Sequence, residues 1–228
     1  GKTANIALAF QAAAHRALDE AAADAETRAA LQACLARMAL ATAYGQNLDT
    51  RDVRSEEDYW RAVETKTPPL FGTAFHLGAR LGGAAVPLAV ELERLGGVIG
   101  LYIQVSDDLY DALKVPAVAD WHRRYNNLPI LYALTAEHGE REEFARLSLH
   151  PEDPAALAAA QKILLRSGAV SYCALKMIEL SRQAQAILAR LPLRYPEPIA
   201  QLLSDQRTPL DRLFRSVGFE MPAALSAD

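Results

Sequence analysis

With 228 residues the chain suits one domain that buries a real core, and 51% hydrophobic residues, many of them alanine with few β-branched runs, favour close-packed helices over sheet. A formal charge of −4 without a basic stripe argues against a nucleic-acid binder. No uninterrupted apolar segment approaches the roughly 18 residues of a membrane span, and no signal-peptide pattern stands at the start, so a soluble cytoplasmic protein is expected.

The opening Gly1-Lys2-Thr3 imitates the end of a phosphate-binding P-loop, but no strand and glycine-rich turn precede it, which removes the basis for that reading. Residues 5–20 have the composition of an alanine-rich helix. A second helix is expected over 25–44, with Asp24 and Glu26 as start signals and Gly45 as a stop. Gln46 and Asp49 then sit at its end, either as a polar terminus or as groups that orient the ligands of a nearby site. Ser55-Glu56-Glu57-Asp58 resembles a capping box and launches a helix carrying Tyr59, Trp60 and Val63. Pro68-Pro69 interrupts that helix directly after Lys66 and Thr67, so the chain should kink or restart there. Taken alone, Lys66 reads as a surface lysine.

A central helix of about 25 residues should begin near Pro87 and run through Leu109. Its residues 95–103 are apolar or glycine at every position, as in a helix surrounded by protein. Gln104, Asp107, Asp108 and Asp111 follow at i, i+3, i+4 and i+7, which puts one amide and three carboxylates on one stripe. The stripe is either an ordinary solvated helix end or the wall of a cavity that holds cations. Carboxylates so close repel one another, and hard oxygen donors gathered on one face are what Mg²⁺ accepts while it bridges to a substrate phosphate. Gly97 and Gly100 continue the stripe upstream as empty positions.

Beyond Asp111 a short loop carries Lys114 and Pro116, and then come Asp120, His122, Arg123 and Arg124, where the arginines need no function beyond solvation. Asp153-Pro154 caps another helix, Gly168 punctuates, and 170–191 forms a long helix before a proline-rich connector and a shorter helical tail. Cys34 and Cys173 stand alone, without metal-ligand spacing, and are expected in the core. The five histidines are scattered, with no i, i+4 pair suggesting zinc. There is no GxSxG, no CxxC, no internal repeat and no linker that would divide domains.

Gly100 to Asp111 resembles the second aspartate-rich motif of the trans-isoprenyl (polyprenyl) diphosphate synthases, G-x-x-F-Q-x-x-D-D-x-x-D. Gly45-Gln46-Asn47-Leu48-Asp49 is similar to that family's G-Q-x-x-D, Lys66-Thr67 to its K-T, and Asp120 with Leu128-Pro129 to its D-x-x-x-x-K-x-T-L-P. The sequence departs from the pattern at Ile103 for the phenylalanine, Tyr125 for the second lysine and Asn127 for the threonine, leaving Lys114, His122, Arg123 and Arg124 as nearby substitutes. The family's first aspartate-rich motif is absent from the sequence. Either the N-terminal helices of a longer chain are missing, which the abrupt start favours, or half of the metal site has been lost.

The resemblance implies an all-α, single-domain helical bundle of the isoprenoid-synthase type around a central cavity, spanning residues 1–228. It implies elongation of an allylic diphosphate with isopentenyl diphosphate. Lys66, Gln104 and Asp107 would act in catalysis, and Lys66, Thr67, Gln104, Lys114 and Arg124 would bind diphosphate. Asp107, Asp108 and Asp111 would hold Mg²⁺, Lys66 would approach Asp107 and Asp108 across the cavity, and the protein would be a homodimer. Alternatives are a class I terpene cyclase, a prenyltransferase with another acceptor, or a non-catalytic subunit of a heteromeric synthase.

Overall fold

The computed structural model describes residues 2–21, 23–50 and 53–216, with side chains through 208; Gly1 of the Gly-Lys-Thr opening lies outside the described residues. Among them the chain forms α1 (Lys2–Glu20), α2 (Ala25–Asp49), α3 (Glu56–Lys66), α4 (Pro68–Leu81), α5 (Val86–Leu113) and α6 (Ala119–Arg123). A 3-10 turn, Arg124–Asn126, leads into α7 (Leu128–Thr135), α8 (Arg141–Leu147), α9 (Pro154–Arg166), α10 (Ala169–Leu188) and α11 (Glu197–Ser216). No strand occurs among the described residues, as the composition leads one to expect.

Helix α5 is the axis of the bundle, and α4 and α10 pack along it. Leu92, Leu95, Val98, Ile99, Tyr102, Val105 and Leu109 are all buried and line one broad face of the helix, while Gly96 and Gly100 are buried on another, against α4. Each such side chain contributes on the order of 1.5–3 kcal/mol by leaving water. The approach of α4 depends on glycine: a Cβ on Gly96 would lie 2.6 Å from the carbonyl oxygen of Phe71, and one on Gly100 would lie 2.9 Å from Pro68 Cα. Gly100 is therefore not an empty extension of the acidic stripe. The backbone of α4 fills the space that its missing side chain leaves.

Glycine also corrects the expected end of α2, which continues past Gly45 to Asp49. A Cβ at Gly45 would come 2.5 Å from the backbone nitrogen of Lys66. Gly45 is thus a contact point between helices, and its small size brings the last turn of α2 against the last turn of α3. The proline pair acts as expected, ending α3 at Lys66 and starting α4 at Pro68. Helix α5 runs four residues beyond the expected end because nothing before Val115-Pro116 interrupts it. Beneath that end, Trp121 is fully buried against Phe144 and fixes the short helix α6. Against α5 lies a small cavity of about 10 Å³ lined by Ile99, Tyr102, Leu180, Ala184 and Leu203, and the Tyr102 hydroxyl donates to the carbonyl of Gln206 on α11 at its side.

Candidate active site

The acidic stripe divides into an inward and an outward pair. Gln104 and Asp108, one turn apart, face α3 and α7. The Asp108 side chain is only 2% exposed, and both of its oxygens are engaged by protein donors. The Tyr59 hydroxyl donates to Oδ2 at 2.6 Å, the backbone N–H of Leu128 donates to the same oxygen at 2.9 Å, and Gln104 Nε2 donates to Oδ1 at 2.8 Å. Thr67 in turn donates its hydroxyl to Gln104 Oε1 at 2.6 Å. This chain of bonds joins the α3–α4 junction, α5 and the first turn of α7. Burial pushes the Asp108 carboxyl up to about 7, while the donors from Tyr59, Leu128 and Gln104 pull it back. A single face of three equivalent carboxylates is thus not what the helix presents, because Asp108 is turned into the protein and pins its neighbours.

Asp107 and Asp111 make up the outward pair. Partial burial and the charges of Asp111 and Asp120 together hold the Asp107 carboxyl above its ordinary value. Asp120, placed by buried Trp121, enters the same field from α6, and its Oδ2 accepts from Asn127 Nδ2 at 3.1 Å. The charges of Asp111 and Asp120 make Asp107 costlier to ionise, and the three carboxylates bring hard oxygen atoms, the kind Mg²⁺ accepts, to the end of α5 from two helices without gathering into a ready-made ligand cluster.

The cations gather around Asp49, at the end of α2. Lys66 Nζ lies 3.1 Å from Asp49 Oδ2 and Arg123 Nη1 lies 3.6 Å from the same oxygen. Asn126 Nδ2 donates to the Asp49 carbonyl and, at 3.3 Å, to its Oδ1. The resemblance implies that Lys66 faces Asp107 and Asp108; its ion pair is instead with Asp49, which the close contact at Gly45 delivers. Of the two arginines, Arg123 joins this cluster. Arg124, with a positive φ of 41°, sends Nη1 toward Ser148 Oγ at 3.4 Å and stacks over Tyr125. Lys114 is exposed and lies over the Tyr110 ring, 5.3 Å from its centroid.

Two consecutive residues weld the cationic and acidic groups together. Asn126 holds Asp49, while Asn127 caps α7 and donates to both the Asp108 carbonyl, at 2.7 Å, and Asp120. Asn126 falls at the unrestricted position of the K-x-T pattern and carries no signal in the sequence, and Asn127 carries none beyond its departure from the threonine. Tyr59 reads there only as an apolar helix residue, and no local spacing links it to a carboxylate 49 positions later. Through the two asparagines the cations around Asp49 are tied to the acidic end of α5, an arrangement of both charge signs in one place.

A polyprenyl synthetase family model matches residues 2–164. A nonaprenyl diphosphate synthase of Mycobacterium tuberculosis is 32% identical over 160 residues, covering 65% of this chain and 48% of that protein. Heptaprenyl diphosphate synthase component 2 of Geobacillus stearothermophilus is 33% identical over 119 residues, covering 49% of this chain and 36% of its own length. This chain therefore spans about half the length, or less, of these relatives. A solved geranylgeranyl pyrophosphate synthase superposes with a TM-score of 0.71 at 20% identity, over 86% of this chain and 64% of the other. A decaprenyl diphosphate synthase from Rhodobacter capsulatus gives 0.66 at 23% identity, over 80% and 59%. At these identities the structural likeness establishes the fold.

Proposed function

Because this chain belongs to the polyprenyl synthetase family, we propose that it is a Mg²⁺-dependent prenyltransferase that elongates an allylic diphosphate with isopentenyl diphosphate. The observation that supports the reading is that Asp49, paired with Lys66 and Arg123, is tied through Asn126 and Asn127 to Asp108 and Asp120, while the charges of Asp111 and Asp120 act on Asp107. Asp107 and Asp111, with Asp120 opposite, would hold the metal. When bound, Mg²⁺ supplies charge stabilisation for the departing diphosphate.

The rest of the work falls to the chain's own side chains. Lys66, about a quarter exposed and steadied by Asp49, donates to diphosphate oxygens as negative charge builds on them. Arg123, more exposed, closes over the same anion. Thr67, Gln104, Asp108 and Tyr59 act as positioning residues: their bonds fix the rotation of α5, and with it the aim of Asp107 and Asp111. Gln104 Oε1 and Nε2 are both engaged with Thr67 and Asp108, so Gln104 serves this role rather than contacting diphosphate directly. The apolar run upstream on α5 excludes water that would otherwise quench an allylic cation. The diphosphate itself accepts the final proton.

No helix among the described residues is long and apolar enough to cross a membrane, in keeping with action in the cytoplasm. A homodimer is supported by the exposed apolar side chains Ile6, Leu8 and Phe10 on α1 and Leu40 and Tyr44 on α2. The relative named as a component of heptaprenyl diphosphate synthase motivates the second reading, a subunit of a heteromeric enzyme. Product analysis with labelled allylic diphosphate, with and without isopentenyl diphosphate, tests the proposal. A longer prenyl diphosphate formed only with both substrates and Mg²⁺ is expected. A cyclised hydrocarbon from the allylic substrate alone would replace the reading with a terpene cyclase, and turnover only on adding a second subunit would replace it with the heteromeric one.

A further inference from the structure

We propose that Cys34, His76 and Glu93 form a second cation site, suited to a borderline-soft dication such as Zn²⁺ and separate from the oxygen donors at the end of α5. One ligand atom from each, a thiol sulfur, an imidazole nitrogen and a carboxylate oxygen, lie within 4.8 Å of one another. They come from three helices, α2, α4 and α5. Gly72, one turn before His76, makes the meeting possible, since a Cβ there would lie 2.9 Å from the Glu93 carbonyl oxygen and 3.3 Å from its Cγ. Glu93 precedes Asp107 by fourteen positions on α5, or roughly 20 Å of helix.

The geometry at His76 points to a ligand. Its Nδ1 is buried and has no aligned hydrogen-bond partner, although it lies 2.7 Å from Glu93 Oε2. A cation between the two would give both atoms a partner. Zinc takes sulfur at about 2.3 Å and nitrogen or oxygen at about 2.0–2.2 Å, which sets neighbouring ligands of a tetrahedral site about 3.3–3.7 Å apart. The trio needs only shifts on the order of 1 Å to reach that spacing. Cys34 is 2% exposed, and burial together with the charge of Glu93 raises its thiol, against which the Thr73 hydroxyl and the Arg37 guanidinium act in the opposite direction; a dication between the thiolate and Glu93 would remove that repulsion. Arg37 offsets one of the two ligand negative charges, and a bound dication leaves the local sum at plus one. Glu93, the most exposed of the three, provides the entry path and leaves a fourth position for water. A bound ion would staple α2, α4 and α5 together at a distance from the reacting groups.

The test is titration of the reduced full chain with Co²⁺ and with Zn²⁺ in excess Mg²⁺, which keeps the oxygen site supplied. One equivalent of Co²⁺ per chain should bind with a thiolate-to-cobalt charge-transfer band, lost in Cys34→Ser and retained in Cys173→Ser. His76→Gln and Glu93→Gln should each weaken Zn²⁺ binding by at least about 10-fold, since even groups that merely support a ligand carry effects of that size. Zn²⁺ should raise Tm in the wild type and not in His76→Gln. Should Cys34→Ser fold poorly, His76→Gln and Glu93→Gln, at less buried positions, decide the matter. A wild type that shows no thiolate band, a band that survives Cys34→Ser, or Zn²⁺ binding that falls in Asp107→Ala but not in His76→Gln would overturn the proposal.

Discussion

Removing one hydroxyl, in Tyr59→Phe, should reveal the ionisation of Asp108 through the pH dependence of stability. In the folded protein Asp108 titrates at about 7, against an ordinary 3.8. Between those values the unfolded chain holds fewer protons at this site than the native one, so its contribution to stability falls as pH rises. About three pH units at roughly 1.4 kcal/mol each give a cost on the order of 4 kcal/mol, absent below pH 4 and complete above pH 7. Tyr59 donates to Asp108 Oδ2 at 2.6 Å and holds that value down. Without it the carboxyl titrates higher still, and the window of declining stability lengthens upward. At pH 5, where the native carboxyl is protonated, the lost hydrogen bond should cost about 1 kcal/mol; at pH 8, where it is charged, about 2–3 kcal/mol. Urea unfolding of wild type and Tyr59→Phe at both pH values, without divalent cations, measures the difference. The same comparison made in an Asp108→Asn background should show no such pH dependence, because the uncharged side-chain amide does not titrate and Gln104 can rotate its own amide to match it. An equal penalty at pH 5 and pH 8 would refute the reasoning.

Asp107→Ala should melt at least as high as the wild type in the absence of Mg²⁺, because it relieves the repulsion among Asp107, Asp111 and Asp120, while turnover falls by orders of magnitude; a variant that melts early and keeps its activity contradicts this. Lys66→Met leaves the Asp49 carboxylate, 8% exposed, with Arg123 and Asn126 as its polar partners, and should cost about 1–3 kcal/mol in urea unfolding. An unchanged midpoint would show the pair to be idle. Gly96→Ala, forced to within 2.6 Å of the Phe71 carbonyl oxygen, should lose about 1–3 kcal/mol, whereas Gly97→Ala, whose nearest neighbour is Pro68 Cβ at 3.9 Å, should be neutral or slightly stabilising by thermal melt.

Features written in short-range chemistry are legible in the sequence. The Asp153-Pro154 cap, the break at Pro68, the continuous apolar run of α5 and the spacing of its acidic residues all depend on neighbours within a turn or two. Gly45 misleads because local propensity makes glycine a stop, while its use here is to admit the backbone of Lys66 from another helix. The position of the acidic stripe is readable, but its division is not. Helical periodicity puts Asp108 and Asp107 on neighbouring lines, and only the positions of Tyr59 and Leu128 decide which line is covered. Likewise Lys66 meets Asp49 and not the stripe, since that pairing depends on how closely α2 and α3 approach. Cys34, His76 and Glu93 are the extreme case: 42 and 17 positions apart, they share no spacing rule, and packing alone assembles them.

In the function proposed above, Asp107, Asp111 and Asp120, flanked by Lys66 and Arg123, form a metal-dependent diphosphate site. Calorimetric titration of the full chain with an unreactive allylic diphosphate analogue, with and without Mg²⁺, tests it most directly. Binding should require Mg²⁺ in the wild type and weaken by at least about 10-fold in a normally folded Asp111→Asn. Equal affinity without Mg²⁺, or undiminished affinity in Asp111→Asn, would contradict the account.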